Sequence, residues 1–246
     1  MTAVAKVNGQ SSTRLGLVVP SINIVMEAWA ARVMPDGASL HTARMYMPDS
    51  LTPESICEMD RTDGMRAIRQ VASCRPHVIA YGCTASSIIQ GLDYDAHLRQ
   101  DIETLSGGPA TTAAYAIITA LKAFGAGRIS AVSPYTAVID AAEHRYFATA
   151  GFDVVGGAHL GITDNFKLAE PTPEILFKLG LDGFDPTAEA LVITCLNTPS
   201  HTVIEALEER LGVPVVTSTQ ATLWHSLRLA GMKHKIPGGG RLLNIH

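Results

Sequence analysis

The chain has 246 residues, 47% hydrophobic and 17% charged, with a formal net charge of −4. That length buries a substantial core as one large or two small domains. The slight acidity, with no Lys/Arg cluster, argues against a nucleic-acid partner, and no apolar run approaches the roughly 20 residues that cross a bilayer.

The N-terminal MTAVAKVNGQSST has no signal-peptide core, so a cytoplasmic protein with no membrane partner is expected. Cys57, Cys74, Cys83 and Cys195 include no close Cys-x-x-Cys pair. That fits neither a secreted disulfide framework nor a zinc site, and the four are expected to be free thiols.

In chain order, RLGLVV reads as a strand, about Asn23 to Met34 as a helix, LHTARMYM as a strand, about Pro53 to Ser73 as a helix, and HVIAYG as a buried strand. The plan then returns: RISAVS, a helix over Ala137 to Ala150, FDVVGGAHL, a helix near Pro173 to Leu181, ALVIT, and a helix over Ser200 to Leu211. Alternation of this kind predicts an α/β fold with parallel sheets.

The two halves superpose in sequence. RLGLVVPSINIVMEA from Arg14 lies over RISAVSPYTAVIDAA from Arg128, with Val18 on Val132 and Pro20 on Pro134. Pro20 and Cys83 are 63 positions apart, Pro134 and Cys195 61. PATTAAYAIITALKAFG and PVVTSTQATLWHSLRLAG close the units, each an extended start leading into a long amphipathic helix. The expected halves are residues 1–110, completed by about 215–246, and residues 111–214.

Ligands of open α/β sheets sit at the carboxyl ends of strands, where Cys83 in AYGCTASS and Cys195 in ALVITCLNTPS both fall. Facing halves would bring the thiols to opposite sides of one cleft. A helix N-terminus after each is expected to lower the thiol pKa. Cys57 and Cys74 read as buried and inert. Asn23 in PSIN and Tyr135 in SPYT occupy equivalent strand ends and can donate to a carboxylate, although Asn23 also suits a helix cap and Tyr135 a turn. Thr84, Ser86, Asn197 and Thr198 flank the cysteines and can cap helices or bind substrate, and Asn165 lies in a loop as a turn residue or ligand. The nine histidines show no metal-binding spacing. GGG at 238–240 lacks a nucleotide-site context and reads as a flexible turn, so neither metal nor cofactor is expected.

Together PSIN, YGCT, SPYT, TDN, TCLNTPS and GGGRLL resemble the maleate cis-trans isomerase family, in the aspartate/glutamate racemase superfamily alongside arylmalonate decarboxylases. The resemblance implies two Rossmann-like domains with the active site between them, no cofactor, a small dicarboxylate substrate and a homo-oligomer. It places Cys83 on the family's nucleophile, Cys195 on its second catalytic cysteine, and Asn23, Tyr135 and Asn165 on carboxylate binders. The chain departs from the isomerases in reading CTASS for CTSGS and CLN for CTN. Decarboxylases keep only the second cysteine.

The expected reaction is isomerisation of maleate, or a related cis-dicarboxylate, by conjugate addition of Cys83, with Cys195 as acid and base. A two-cysteine racemase of amino acids or hydantoins is the alternative. A thiol redox switch or small-acid sensor is a third reading.

Overall fold

A computed structural model describes residues 13–48 and 50–246. The stretch read as lacking a signal peptide lies, but for Thr13, outside them. The first half runs β1 (Thr13–Pro20), α1 (Met26–Val33), β2 (Ala38–Met45), α2 (Pro53–Met59), one wide helical turn (Asp60–Gly64), α3 (Met65–Ala72), β3 (Val78–Tyr81), α4 (Thr84–Gln90), α5 (Leu92–Ser106) and β4 (Ala110–Thr112). The second runs α6 (Ala113–Phe124), β5 (Arg128–Ser133), α7 (Ala137–Thr149), β6 (Asp153–His159), α8 (Pro173–Gly183), β7 (Ala190–Ile193), α9 (Ile204–Leu211), β8 (Val215–Thr217), α10 (Ser218–Leu229) and α11 (Gly240–Ile245).

The strands form two four-stranded sheets, in the orders β2-β1-β3-β4 and β6-β5-β7-β8. Every pairing is parallel. VIAY of β3 and ALVI of β7 are buried throughout, as central parallel strands covered on both faces must be. The repeat holds to the residue: Val18 pairs with Tyr81 and Val132 with Ile193, and in each half the cysteine comes two residues later.

Local chemistry explains several boundaries. Thr52 caps α2 in a reciprocal capping box with Ser55, with Pro53 in the first turn, and Thr172 and Pro173 open α8 similarly. Thr112 and Thr217 cap α6 and α10 in equivalent positions. These two long helices pack on each other.

The helix expected over Pro53 to Ser73 runs without a break from Pro53 to Ala72 and widens by one turn at Asp60–Gly64. Four other expectations need correction. The helix expected from Ser200 begins as a single tight turn, Ser200–Thr202, before α9. Helix α10 is not amphipathic, since Ser218 to Leu227 are all buried; it packs on β3 and β4 of the first sheet as well as on α6. The GGG segment is pinned: Gln220 donates to the Gly239 carbonyl at 2.6 Å, Glu208 accepts from the Arg241 N–H at 2.9 Å, and Gly240 has φ +61° with Ile204 so close that no Cβ fits. At the boundary between halves, β8 pairs with β7 and so belongs to the second sheet, although the sequence reading grouped it with the segment completing the first.

Candidate active site

The sheets meet at their carboxyl ends, where the loops after β1, β3, β5 and β7 converge. Gly82 permits this contact: a Cβ there would lie 2.7 Å from Leu196 of the other half and 2.9 Å from the Val18 carbonyl. Between the halves lies a small cavity of about 40 Å³ whose wall includes Cys83, Cys195, Asn23, Tyr135, Asn165, Thr84 and Asn197. Seven of the nine candidates from sequence therefore line one site; Ser86 and Thr198 do not, their hydroxyls bonding to Asp60 and to the Leu168 carbonyl. Its remaining wall is largely apolar, with Ile22, Met47, Leu51, Ile56, Leu168 and Leu196.

Cys83 is the N-cap residue of α4, with φ −130° and ψ 101°. Its side chain accepts no capping hydrogen bond; burial first, and then the Asp60 carboxyl, push the thiol far above its ordinary range, against the nearby backbone N–H groups of Ser86 and Ala85, which favour the thiolate. Cys195 is also raised by burial, against hydrogen bonds with Thr198, Tyr135 and the Asn197 N–H. The expected lowering of both pKa values is therefore overturned. A helix start supplies the N–H donors at Cys83, but desolvation of a dry cavity outweighs them; at Cys195 no helix follows directly.

The loops that carry the amides clasp the cavity. Asn165 donates to the Pro48 carbonyl at 2.5 Å, and its buried Oδ1 makes no hydrogen bond. Beside it Ser50 bridges to Asp164. Asn23 Oδ1 accepts the Met26 N–H at 3.0 Å, which anchors the start of α1, and the residue also lines the cavity. Asn197 reaches across the halves, accepting from Ile24 N–H at 2.9 Å and donating to the Ile22 carbonyl at 3.3 Å. Thr84 donates to Ser218 at 3.0 Å, tying α4 to α10.

Tyr135 is 2% exposed. Burial, then the two cysteines, hold its hydroxyl protonated well above the usual phenol range. The Thr198 hydroxyl donates to the Leu168 carbonyl at 2.9 Å, and Thr198 and Tyr135 both favour the Cys195 thiolate against burial. Its backbone is fixed by Gly161 and Ile162 N–H groups on the Tyr135 and Pro134 carbonyls, both 3.0 Å.

Cys57 and Cys74 stand outside the site and are half-buried free thiols, less enclosed than expected. Two buried carboxyls escaped the sequence reading. Asp60 lies behind α4, and Glu143, on α7, accepts the hydroxyl of Thr194 at 2.6 Å, one residue before Cys195. The signal was present: both acids fall on the buried stripe of their helices, with Ile56 and Met59 in one case and Ile139 and Phe147 in the other. Among the described residues no His/Cys/Asp/Glu cluster could hold a metal ion, and no helix is long and apolar enough to cross a membrane.

The arylmalonate decarboxylase family model matches residues 15–243. The chain belongs to that family. Within the arylmalonate decarboxylase family it is maleate isomerase-like. It is 26% identical to a maleate isomerase of Geobacillus stearothermophilus, over 94% of this chain and 97% of that protein. The fold matches a maleate isomerase variant from Pseudomonas putida S16 solved with maleate, at TM-score 0.88 and 28% identity over 94% and 97% of the two chains. It also matches a cysteine-to-serine variant of the Nocardia farcinica maleate cis-trans isomerase holding a covalently bound succinylcysteine intermediate, at TM-score 0.89 and 26% identity over 95% and 98%.

Proposed function

We propose that the protein isomerises maleate, or a closely related cis-dicarboxylate, to its trans isomer through transient addition of the Cys83 sulfur. The observation that carries this reading is the pair of thiols at equivalent strand ends, meeting across one small cavity rimmed by amide and hydroxyl donors.

In this scheme Cys83 releases its proton to solvent before the cavity closes, and its sulfur bonds to one olefinic carbon. The π pair moves onto the distal carboxylate as an enediolate. The nearby Ser86 and Ala85 N–H groups favour the sulfur's charged form before attack. The neutral Tyr135 hydroxyl and the amide NH₂ groups of Asn23 and Asn165 donate to the substrate carboxylates, preorganised because each is already fixed by its own loop. Cys195, opposite, gives its S–H proton to the adjacent carbon, leaving a succinyl thioether. The former double bond rotates, the Cys195 thiolate takes the proton back, the C–S bond breaks and the Cys83 thiolate leaves. Thr84 and Asn197 serve this chemistry by holding α4 and the 22–24 loop in place.

The succinylcysteine intermediate of the Nocardia relative supports this order of events. Cys83 also favours isomerisation over decarboxylation, since the decarboxylase pattern has only the second cysteine. The test is incubation of the purified protein with maleate in D₂O, without added metal or cofactor, followed by NMR. Fumarate is the expected product. No conversion of maleate, with α-deuteration of aspartate, glutamate or a hydantoin, would replace this reading with a two-thiol racemase.

A further inference from the structure

Asp60 opens the wide turn between α2 and α3. Such wide turns are frequent at functional sites, and the Asp60 carboxyl in this one is buried. Oδ1 accepts the hydroxyl of Tyr81, two residues before Cys83 on β3. Oδ2 accepts the hydroxyl of Ser86, the Gln90 amide at 2.6 Å and the Tyr94 hydroxyl at 2.9 Å. Burial raises the Asp60 carboxyl above its ordinary range, and the four donors, Ser86 first, oppose that rise and favour the charged form. Ser86 makes the connection short: it lies in the first turn of α4, three residues after Cys83, and its hydroxyl bonds to Asp60.

We propose that Asp60 is a positioning residue for Cys83: it ties α4 to β3 behind the sulfur and sets both how readily the thiolate forms and how strongly it attacks. The proposal rests on Cys83 being the nucleophile. A negative charge behind the sulfur opposes ionisation, and burial acts in the same direction. The thiolate that does form is scarcer and more nucleophilic, because thiolate reactivity rises with basicity.

Other titratable groups surround the pair. Cys195 and Tyr135 share the cavity with Cys83. On the far side, a second cavity reaches Asp60 past Cys57 and Arg61 of its own helical segment, Tyr81 of β3, and Tyr94, His97 and Asp101 of α5. The Arg61 guanidinium is paired with Glu58, so it does not neutralise Asp60.

The experiment is alkylation of Cys83 by iodoacetamide across pH, read by mass spectrometry of the Cys83 peptide without substrate. For Asp60→Asn the midpoint should fall by about one pH unit, and the rate on the alkaline plateau should drop about threefold per unit of that fall. With maleate, kcat should decrease more than KM changes. In Asp60→Asn a midpoint that stays in place or rises overturns the proposal. Should Asp60→Asn lose its fold by circular dichroism, Tyr94→Phe decides: a carboxylate stripped of one donor keeps its charge and is less shielded, so the midpoint in that variant should rise, and one that stays or falls overturns the proposal. Wild-type protein inert towards maleate would defeat the isomerase reading while leaving the alkylation result intact, so the two failures are distinguishable.

Discussion

Cys83 enters its helix with an ordinary extended backbone, φ −130°, at a helix start whose N–H groups favour the thiolate. Cys195 turns at φ +81°, where a side chain is strained, and finds a tyrosine hydroxyl instead of a helix. Each has a buried carboxyl behind it: Asp60, with four donors, behind Cys83, and Glu143, with one oxygen unpartnered, behind Cys195. One repeated topology thus presents two thiols in different electrostatic settings, and the difference suits different tasks. In the proposed mechanism backbone donors near Cys83 favour a thiolate that attacks and leaves, and the turn at Cys195 holds a thiol that exchanges one proton.

The strongest way to break this division is to remove each sulfur. Cys83→Ala should lower turnover of maleate by about 10⁴-fold or more, with circular dichroism unchanged; retained activity within tenfold would dissolve the assignment. Because the Cys83 thiol is raised above its ordinary range, wild-type kcat/KM should keep climbing past pH 9 where an unperturbed thiol would level off.

Cys195→Ser should cost less, about 10²- to 10⁴-fold, and intact-mass analysis of that variant with maleate should find a succinyl adduct on Cys83. An adduct confined to Cys57 or Cys74 would contradict the scheme. Asn23→Ala should reduce kcat/KM and, through the lost anchor at α1, lower stability by about 0.5–2 kcal/mol; melts beside kinetics separate the two effects.

Backbone strain offers a subtler contrast. Glycine tolerates φ +81° without penalty, so Cys195→Gly should be more stable than Cys83→Gly by about 1–3 kcal/mol in urea melts. Equal losses would mean that the turn at Cys195 carries no strain.

The smallest expected effect concerns Glu143, whose carboxyl is raised by burial and by neighbouring Asp140. A raised folded pKa contributes stability that is fully present below the unfolded value and is lost as pH rises through the folded one. Glu143→Gln removes that dependence, so its melting temperature relative to wild type should improve from pH 4 to pH 8. A constant difference would show that Glu143 does not titrate between these limits.

Much of the fold was legible from the chain because its signals are local or repeated. Buried runs such as VIAY and ALVI bounded by Gly82 and Thr194, threonines at helix starts, and near-equal spacing from Pro20 to Cys83 and Pro134 to Cys195 fix the strand ends and the duplication without any knowledge of contacts. The two cysteines and the residues beside them reach one cavity wall because the strands they follow end there. Tertiary structure decided what depends on groups distant in sequence. The sign of the thiol shifts follows from desolvation by both halves, which a helix-start argument does not see. The burial of α10 on every face follows from its place against α6 and the first sheet. Asp60 and Glu143 look like misplaced acids on apolar stripes until Tyr81, Ser86 and Thr194 are brought beside them, because a carboxylate's role is set by the donors it meets and these come from other elements of the fold.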